Sequence, residues 1–97
     1  MKVVWSHTAM QDLGEIASWI ATDNPAAARS QTQKILGRAR QLAQFPHSGR
    51  AVVEYDDPSI REVIEGSYRL VYRVRPGRIE VVAVLEGHRL PAPPDEV

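Results

Sequence analysis

The feature that most constrains the fold is a pair of alternating strand patterns on either side of a two-residue turn. Residues 67–82 read SYRLVYRVRPGRIEVV, with Pro76 and Gly77 between the two patterns. Adjacent proline and glycine favour a tight turn. Alternation of apolar and polar residues is typical of β-strands. The pattern therefore predicts an antiparallel hairpin with strands near 68–75 and 78–85.

The hairpin register assigns each side chain to one face of a sheet, because strand side chains alternate. With Pro76 and Gly77 as the only loop residues, one face is apolar and should lie under helices: Tyr68, Leu70, Tyr72, Val74, Ile79, Val81, Ala83 and Leu85. The second face mixes valines with charged residues: Arg69, Val71, Arg73, Glu80, Val82, Val84 and Glu86. Arg73 lies opposite Glu80, which predicts an ion pair worth roughly 0.2–1 kcal/mol. Arg69 has no such partner in this register.

Two helices are predicted upstream of the hairpin. After a short strand at 2–5, Ser6 is a candidate N-cap. Apolar residues then recur on one helical face: Ala9, Leu13, Ile16, Ala17 and Ile20. The residue before Pro25 avoids the α region and ends this helix, whereas Pro25 suits the first turn of a second one. The second buried stripe is Ala28, Thr32, Ile35, Leu36, Ala39, Leu42 and Ala43.

The order of these elements predicts an α+β fold, β-α-α-β-β-β, with an antiparallel helical hairpin packed on an antiparallel sheet. Residues 51–59 are expected to form an irregular bridge with a short strand at its start, and 60–66 a strand. A single domain is expected over residues 1–91, and 92–97 complete a proline-rich tail.

Composition excludes several classes of protein. Twelve basic residues balance twelve acidic ones, so no net charge attracts nucleic acid or membrane. There is no Cys, which excludes disulfides and thiolate metal sites. The three histidines lack metal-ligand spacing, and no cofactor motif is present. We expect a cytoplasmic protein without cofactor, metal or membrane span.

Three residues could act together on a phosphate. Arg69 is on the predicted hairpin, and His88 and Arg89 follow its last strand. Arginine neutralises phosphate charge, and histidine can move a proton near pH 7. Such a set could cleave RNA through its 2′-hydroxyl, with Glu54 or Glu62 as general base. The alternative is that His88 is an ordinary loop residue and the strand arginines only shield the sheet.

The motifs of residues 3–91 resemble those of the RelE/ParE superfamily of type II toxin–antitoxin toxins. The resemblance rests on the order and spacing of WSHTAMQDLGEIASWIATDNPAAA, FPHSGR and IREVIEGSYRLVYRVRPGRIEVVAVLEGHRLP. It implies the compact α+β toxin fold. RelE-like members cleave mRNA on the ribosome, and ParE-like members poison DNA gyrase.

The resemblance favours the ParE branch. Arg69 matches a phosphate-binding arginine of the nuclease branch. His88 falls where the related YoeB toxins carry a catalytic histidine, and Arg89 where RelE carries another arginine. The paired lysines of RelE are absent, however, and no aromatic residue follows Tyr72. The pieces NPAAA and IREVIEGSYRLVYRV look more like ParE. The implied function is a gyrase-inhibiting toxin; the alternatives are a ribosome-dependent mRNA endonuclease and a non-toxic interaction domain.

The implied partner is a cognate, ParD-like antitoxin that forms a hetero-oligomer with the toxin. Antitoxin tails of this class fold on the toxin through helix and strand contacts. The half-apolar second face of the hairpin is the expected contact surface, through Arg69, Val71, Arg73, Val82 and Val84. Trp19 lies about 80° from the centre of the first apolar stripe at 100° per residue. It is expected at the edge of the core or as a half-exposed anchor for the partner.

Overall fold

The computed structural model describes residues 1–87, with two long helices and one five-stranded sheet. The helices are α1 (His7–Asp23) and α2 (Pro25–Gln41). The strands are β1 (Lys2–Trp5), β2 (Arg50–Ala51), β3 (Ile60–Glu65), β4 (Tyr68–Arg75) and β5 (Arg78–Glu86). A 3-10 turn, Val53–Tyr55, follows β2. The predicted α+β fold is confirmed.

The sheet has the strand order β1-β5-β4-β3-β2. Strands β2 to β5 pair antiparallel with their neighbours, and β1 pairs parallel with β5. The hairpin β4–β5 therefore lies at the centre of the sheet. The predicted Pro76–Gly77 turn is present, with Gly77 at φ 77°, a conformation that glycine adopts without strain.

Local capping explains the sharp reversal between the helices. The Ser6 hydroxyl accepts a hydrogen bond from the Ala9 N–H at 3.0 Å, which caps α1. The Asn24 side chain accepts one from the Ala27 N–H at 3.0 Å and caps α2. The Asn24 N–H also bonds to the Ile20 carbonyl. One residue thus ends the first helix and begins the second.

The main core lies between the helices and the face of the sheet that they cover, hereafter the helix face. Its innermost side chains include Ile35 and Leu42, and Tyr72, Ile79 and Val81 from the hairpin. Burial of each such aliphatic side chain stabilises the fold by roughly 1.5–3 kcal/mol. Neither helix in the described chain is long and apolar enough to cross a membrane.

The hairpin register differs from the prediction beyond Val81. Tyr72 pairs with Val81 as expected, but Val71 pairs with Ala83, so Val82 is an extra residue in a β-bulge. A one-residue shift moves side chains to the opposite face. Val84 consequently packs in the helix-face core, whereas Ala83 and Leu85 pack on the other side, hereafter the outer face. The predicted faces of these three residues are wrong.

Candidate functional site: a buried arginine–carboxylate cluster

The outer face of the sheet is not an open surface. Val52 and Tyr55, from the segment between β2 and β3, pack with Ile60, Val71 and Ala83 in a second core. Val71 is fully buried, and Arg69 and Arg73 are 7% and 4% exposed. The prediction that this half-apolar hairpin face is exposed is therefore wrong, because the irregular segment 52–59 covers it. Of the residues predicted to contact a partner, only Val82 and Trp19 keep substantial exposure.

Arg69 has a carboxylate partner that the hairpin register did not reveal. Its Nε lies 3.2 Å from Oε2 of Glu62, a β3 residue that is 5% exposed. Glu62 Oε1 also accepts a hydrogen bond from Arg50 Nε at 2.7 Å. One buried carboxylate thus lies between two guanidinium groups, one buried and one mostly exposed. The signal in the sequence is the Arg61-Glu62 pair before the turn, but only the fold places Glu62 beside Arg69.

The Glu62 carboxylate does not accept hydrogen bonds from all the N–H groups of the buried Arg69 side chain. Arg69 Nε and Glu62 Oε2 are close but not aligned as a hydrogen bond, and Arg69 Nη1 has no partner within residues 1–87. Buried N–H groups are nearly always paired in folded proteins. Arg69 therefore holds hydrogen-bonding capacity that Glu62 does not use.

Arg73 pairs with the covering segment rather than across the hairpin. Its Nη2 lies 3.8 Å from Oδ2 of Asp57. Hydrogen bonds from the Ser59 hydroxyl and N–H are the main causes that lower the pKa of Asp57, with smaller contributions from Arg73 and Arg75. The charged form of Asp57 is thus favoured, and its contact with Arg73 links segment 52–59 to β4.

Glu80 pairs with both arginines at the tip of the hairpin. It accepts hydrogen bonds from Arg75 Nε at 2.8 Å and Arg78 Nη2 at 3.0 Å. The hydrogen bond from Arg75 is the largest cause that lowers the pKa of Glu80. The predicted Arg73–Glu80 ion pair is therefore wrong: the residues face each other in the ladder, but each has another partner. All four hairpin arginines face carboxylates of their own chain.

Tyr72 fixes the loop that precedes β2. Its hydroxyl donates to the Pro46 carbonyl at 2.8 Å and accepts from the Gly49 N–H at 3.0 Å. Arg61 Nη1 donates to the Gly49 carbonyl at 2.7 Å. Desolvation is the main cause that raises the pKa of Tyr72. These bonds position Arg50, the exposed member of the cluster, immediately after the loop.

Trp19 is 76% exposed, more than any other aromatic residue within residues 1–87. It lies on the exposed face of α1, with Gln11, Gly14, Glu15, Ser18 and Thr22. The expectation that Trp19 lies at the edge of the core is wrong, and it is more exposed than the half-exposed anchor that was the alternative.

The predicted catalytic set is only partly within the described chain. His88 and Arg89, like the tail at 92–97, lie outside residues 1–87. Of the two candidate bases, Glu54 is exposed on the 3-10 turn, and Glu62 is engaged by Arg50 and Arg69. Within the same range, no group of three His, Cys, Asp or Glu side chains could hold a metal ion.

Comparison with known proteins identifies relatives that cover most of the chain. Residues 3–91 match the family model described as ParE toxin of type II toxin–antitoxin system, parDE. A Caulobacter vibrioides protein, Toxin RelE2, is 30% identical over 90 residues, 92% of this chain and 98% of that protein.

Two solved structures share the fold. A chain of the chromosomal ParDE toxin–antitoxin system from P. aeruginosa superimposes with a TM-score of 0.75 at 21% identity, over 91% of this chain and 97% of that one. The YoeB/ParE toxin from Agrobacterium tumefaciens gives 0.62 at 25% identity, over 92% and 100%.

Proposed function

The chain belongs to the ParE toxin family of type II toxin–antitoxin systems, within the RelE/ParE superfamily, and we propose that it inhibits DNA gyrase until a cognate antitoxin binds it. The proposal concerns the target, because the superfamily includes toxins with different targets. A toxin that inhibits gyrase needs a surface that binds gyrase. It does not need residues that cleave RNA.

The observation that carries the proposal is the state of Arg69. A nuclease needs a free cation to neutralise the phosphate that reacts. In this chain Glu62 lies 3.2 Å from the Arg69 guanidinium, and both side chains are less than 10% exposed. The arginine that the nuclease reading requires is therefore already paired. This supports a toxin that acts by binding.

The antitoxin partner is proposed to dock on α1. Trp19 is a large aromatic residue on the exposed face of α1, and tryptophans are frequent hot spots of protein interfaces. Val82, the valine of the predicted contact set that stays partly exposed, packs on the outer face and is not part of this surface. A hetero-oligomer of toxin and antitoxin follows from this reading, with Trp19 as its anchor.

The second candidate function is a ribosome-dependent mRNA endonuclease. It is favoured by the relative named Toxin RelE2, 30% identical over nearly its whole length. In that case Arg69, His88 and Arg89 form the active site, and Arg69 must leave Glu62 to reach a phosphate.

Expression of wild type and His88→Ala in bacteria separates the two functions. We expect growth arrest with a DNA-damage response, intact mRNA and little change in His88→Ala. Coexpression of the neighbouring antitoxin should restore growth. Cleaved mRNA that disappears in His88→Ala, where general acid–base catalysis is worth about 10²–10⁴-fold, would make the protein a nuclease. Normal growth with abundant folded protein would leave only a non-toxic interaction domain.

A further inference from the structure

We propose that Glu62 is a built-in anion that closes the Arg50–Arg69 pair to external phosphate. The inference concerns the ligand selectivity of the cluster. It rests on the proposed function only in that both require Arg69 to be neutralised within the chain. Its test uses neither gyrase nor ribosomes, so its failure and the failure of the proposed function can be told apart.

The geometry of the cluster is that of an occupied oxyanion site. The two oxygens of Glu62 are divided between two guanidinium groups, Oε1 at 2.7 Å from Arg50 Nε and Oε2 at 3.2 Å from Arg69 Nε. Guanidinium groups present donors in a fork that fits carboxylate and phosphate alike. The carboxylate thus lies where an external oxyanion would have to bind.

The contact between Arg69 and Glu62 leaves donors of the cluster without hydrogen bonds. Arg69 is buried, and its Nε and Nη1 have no hydrogen-bond partner within residues 1–87. Glu62 Oε2 also lacks a hydrogen-bond partner there, because its 3.2 Å contact with Arg69 Nε is not aligned as a hydrogen bond. Phosphate has more oxygens and up to two charges, so it matches these donors better than one carboxylate does.

The cluster is accessible from the side of Arg50. The Arg50 side chain is 69% exposed, whereas those of Glu62 and Arg69 are 5% and 9% exposed. Ile64, which pairs with Arg69 across the β3–β4 ladder, is 52% exposed. A phosphate would therefore first meet Arg50 and would reach Arg69 only by displacing Glu62. Repulsion between phosphate and the Glu62 carboxylate keeps the site closed.

Glu62→Gln tests the inference, because it keeps the shape of the side chain and removes its charge. The control is Glu65→Gln, on the same strand, which makes the same charge change at a residue with no ion pair among residues 1–87. Inorganic phosphate binding is measured by calorimetry and by the shift of the melting temperature, with sodium chloride at equal ionic strength as reference. We expect Glu62→Gln to bind phosphate about tenfold or more tightly than wild type, and Glu65→Gln to match wild type.

A double variant tests whether the phosphate affinity gained in Glu62→Gln comes from Arg50 and Arg69. Glu62→Gln combined with Arg50→Gln should lose most of the added phosphate affinity, because one of the two guanidinium groups is gone. If Glu62→Gln does not fold in chloride, phosphate should refold it and chloride should not, since only the folded state holds the site.

Three results would overturn the inference. The first is a folded Glu62→Gln that binds phosphate no better than wild type. The second is a gain of equal size in Glu65→Gln. The third is an unfolded Glu62→Gln that phosphate does not refold; Glu62 would then be a structural counter-ion of Arg69 alone.

Discussion

Gly49 is the residue with the least room for a side chain among the glycines of the described chain. A Cβ there would lie 2.5 Å from the Glu62 carbonyl oxygen and 2.6 Å from the Tyr72 hydroxyl. Both neighbours are fixed, one by the β3 backbone and the other by its bonds to Pro46 and Gly49. We expect Gly49→Ala to lower the free energy of unfolding by about 1–3 kcal/mol, measured by urea denaturation.

Gly14→Ala is the matched control for Gly49→Ala. Gly14 lies within α1 on its exposed side, and a Cβ there meets nothing within 4 Å. Alanine is favoured over glycine within helices by roughly 0.5–1 kcal/mol. Gly14→Ala should therefore stabilise the protein slightly. Equal destabilisation by both substitutions would contradict the steric explanation at Gly49.

Tyr72 makes the free energy of unfolding depend on pH in the alkaline range. Burial raises its pKa above the ordinary value of 10.0, so the folded protein holds the phenolic proton more tightly than the unfolded chain. The stabilisation is complete below pH about 10 and is lost as pH rises through the higher folded pKa. Tyr72→Phe should destabilise by about 1–3 kcal/mol at pH 7, because two hydrogen bonds disappear.

The difference in unfolding free energy between wild type and Tyr72→Phe should shrink above pH about 10. Denaturation from pH 7 to 11 measures it. Tyr55 and Tyr68, whose pKa values are also raised by burial, are present in both proteins and cancel in the comparison. A difference that stays constant or grows with pH would contradict the assignment to Tyr72.

Among the elements, the bulge in β5 is stabilised by the start of α1. The N–H of Ser6 bonds to the Val81 carbonyl, and its hydroxyl donates to the Val82 carbonyl. Asp12 accepts a hydrogen bond from the Val84 N–H at 3.0 Å. These contacts satisfy backbone groups of β5 beyond the point where the pairing with β1 ends.

Asp12→Ala should therefore destabilise the protein by about 1.5–3 kcal/mol, because a backbone N–H loses its bond to a charged acceptor. Glu15→Ala, at an exposed position on the same helix, is the control and should be nearly neutral. Thermal unfolding of both variants measures the difference. Hydrogen exchange of the Val84 amide gives a local readout, with faster exchange expected in Asp12→Ala only.

The elements with local signals were predictable from sequence, and those set by distant contacts were not. Ser6 and Asn24-Pro25 specify the helix starts through bonds to residues three positions away. The bulge at Val82 has no glycine or proline to mark it, and its partners come from α1. The Glu62–Arg69 pair likewise depends on the register of β3 against β4. The candidate site was therefore recognised by residue type but not by its pairing.

For the whole molecule, the proposed docking of the antitoxin on α1 is tested at Trp19. Trp19→Ala should weaken antitoxin binding by about 2 kcal/mol or more, roughly 30-fold, as expected for a hot-spot tryptophan. Folding stability should change by less than about 0.5 kcal/mol, since the side chain is 76% exposed. Isothermal calorimetry with the purified antitoxin measures the affinity.

Val53→Ala is the control for Trp19→Ala. Val53 is 83% exposed on the 3-10 turn that follows β2. Its truncation should leave antitoxin affinity unchanged if the partner docks on α1. A larger loss from Val53→Ala than from Trp19→Ala would place the antitoxin on the covering segment instead.

The most direct test of the proposed target is the supercoiling of relaxed plasmid by purified gyrase in the presence of this protein. The account predicts dose-dependent inhibition, reversed by an equimolar amount of cognate antitoxin and retained in His88→Ala. The same preparation, added to translating ribosomes, should leave mRNA intact. Gyrase that supercoils normally at saturating toxin, together with mRNA cut on the ribosome, would contradict it.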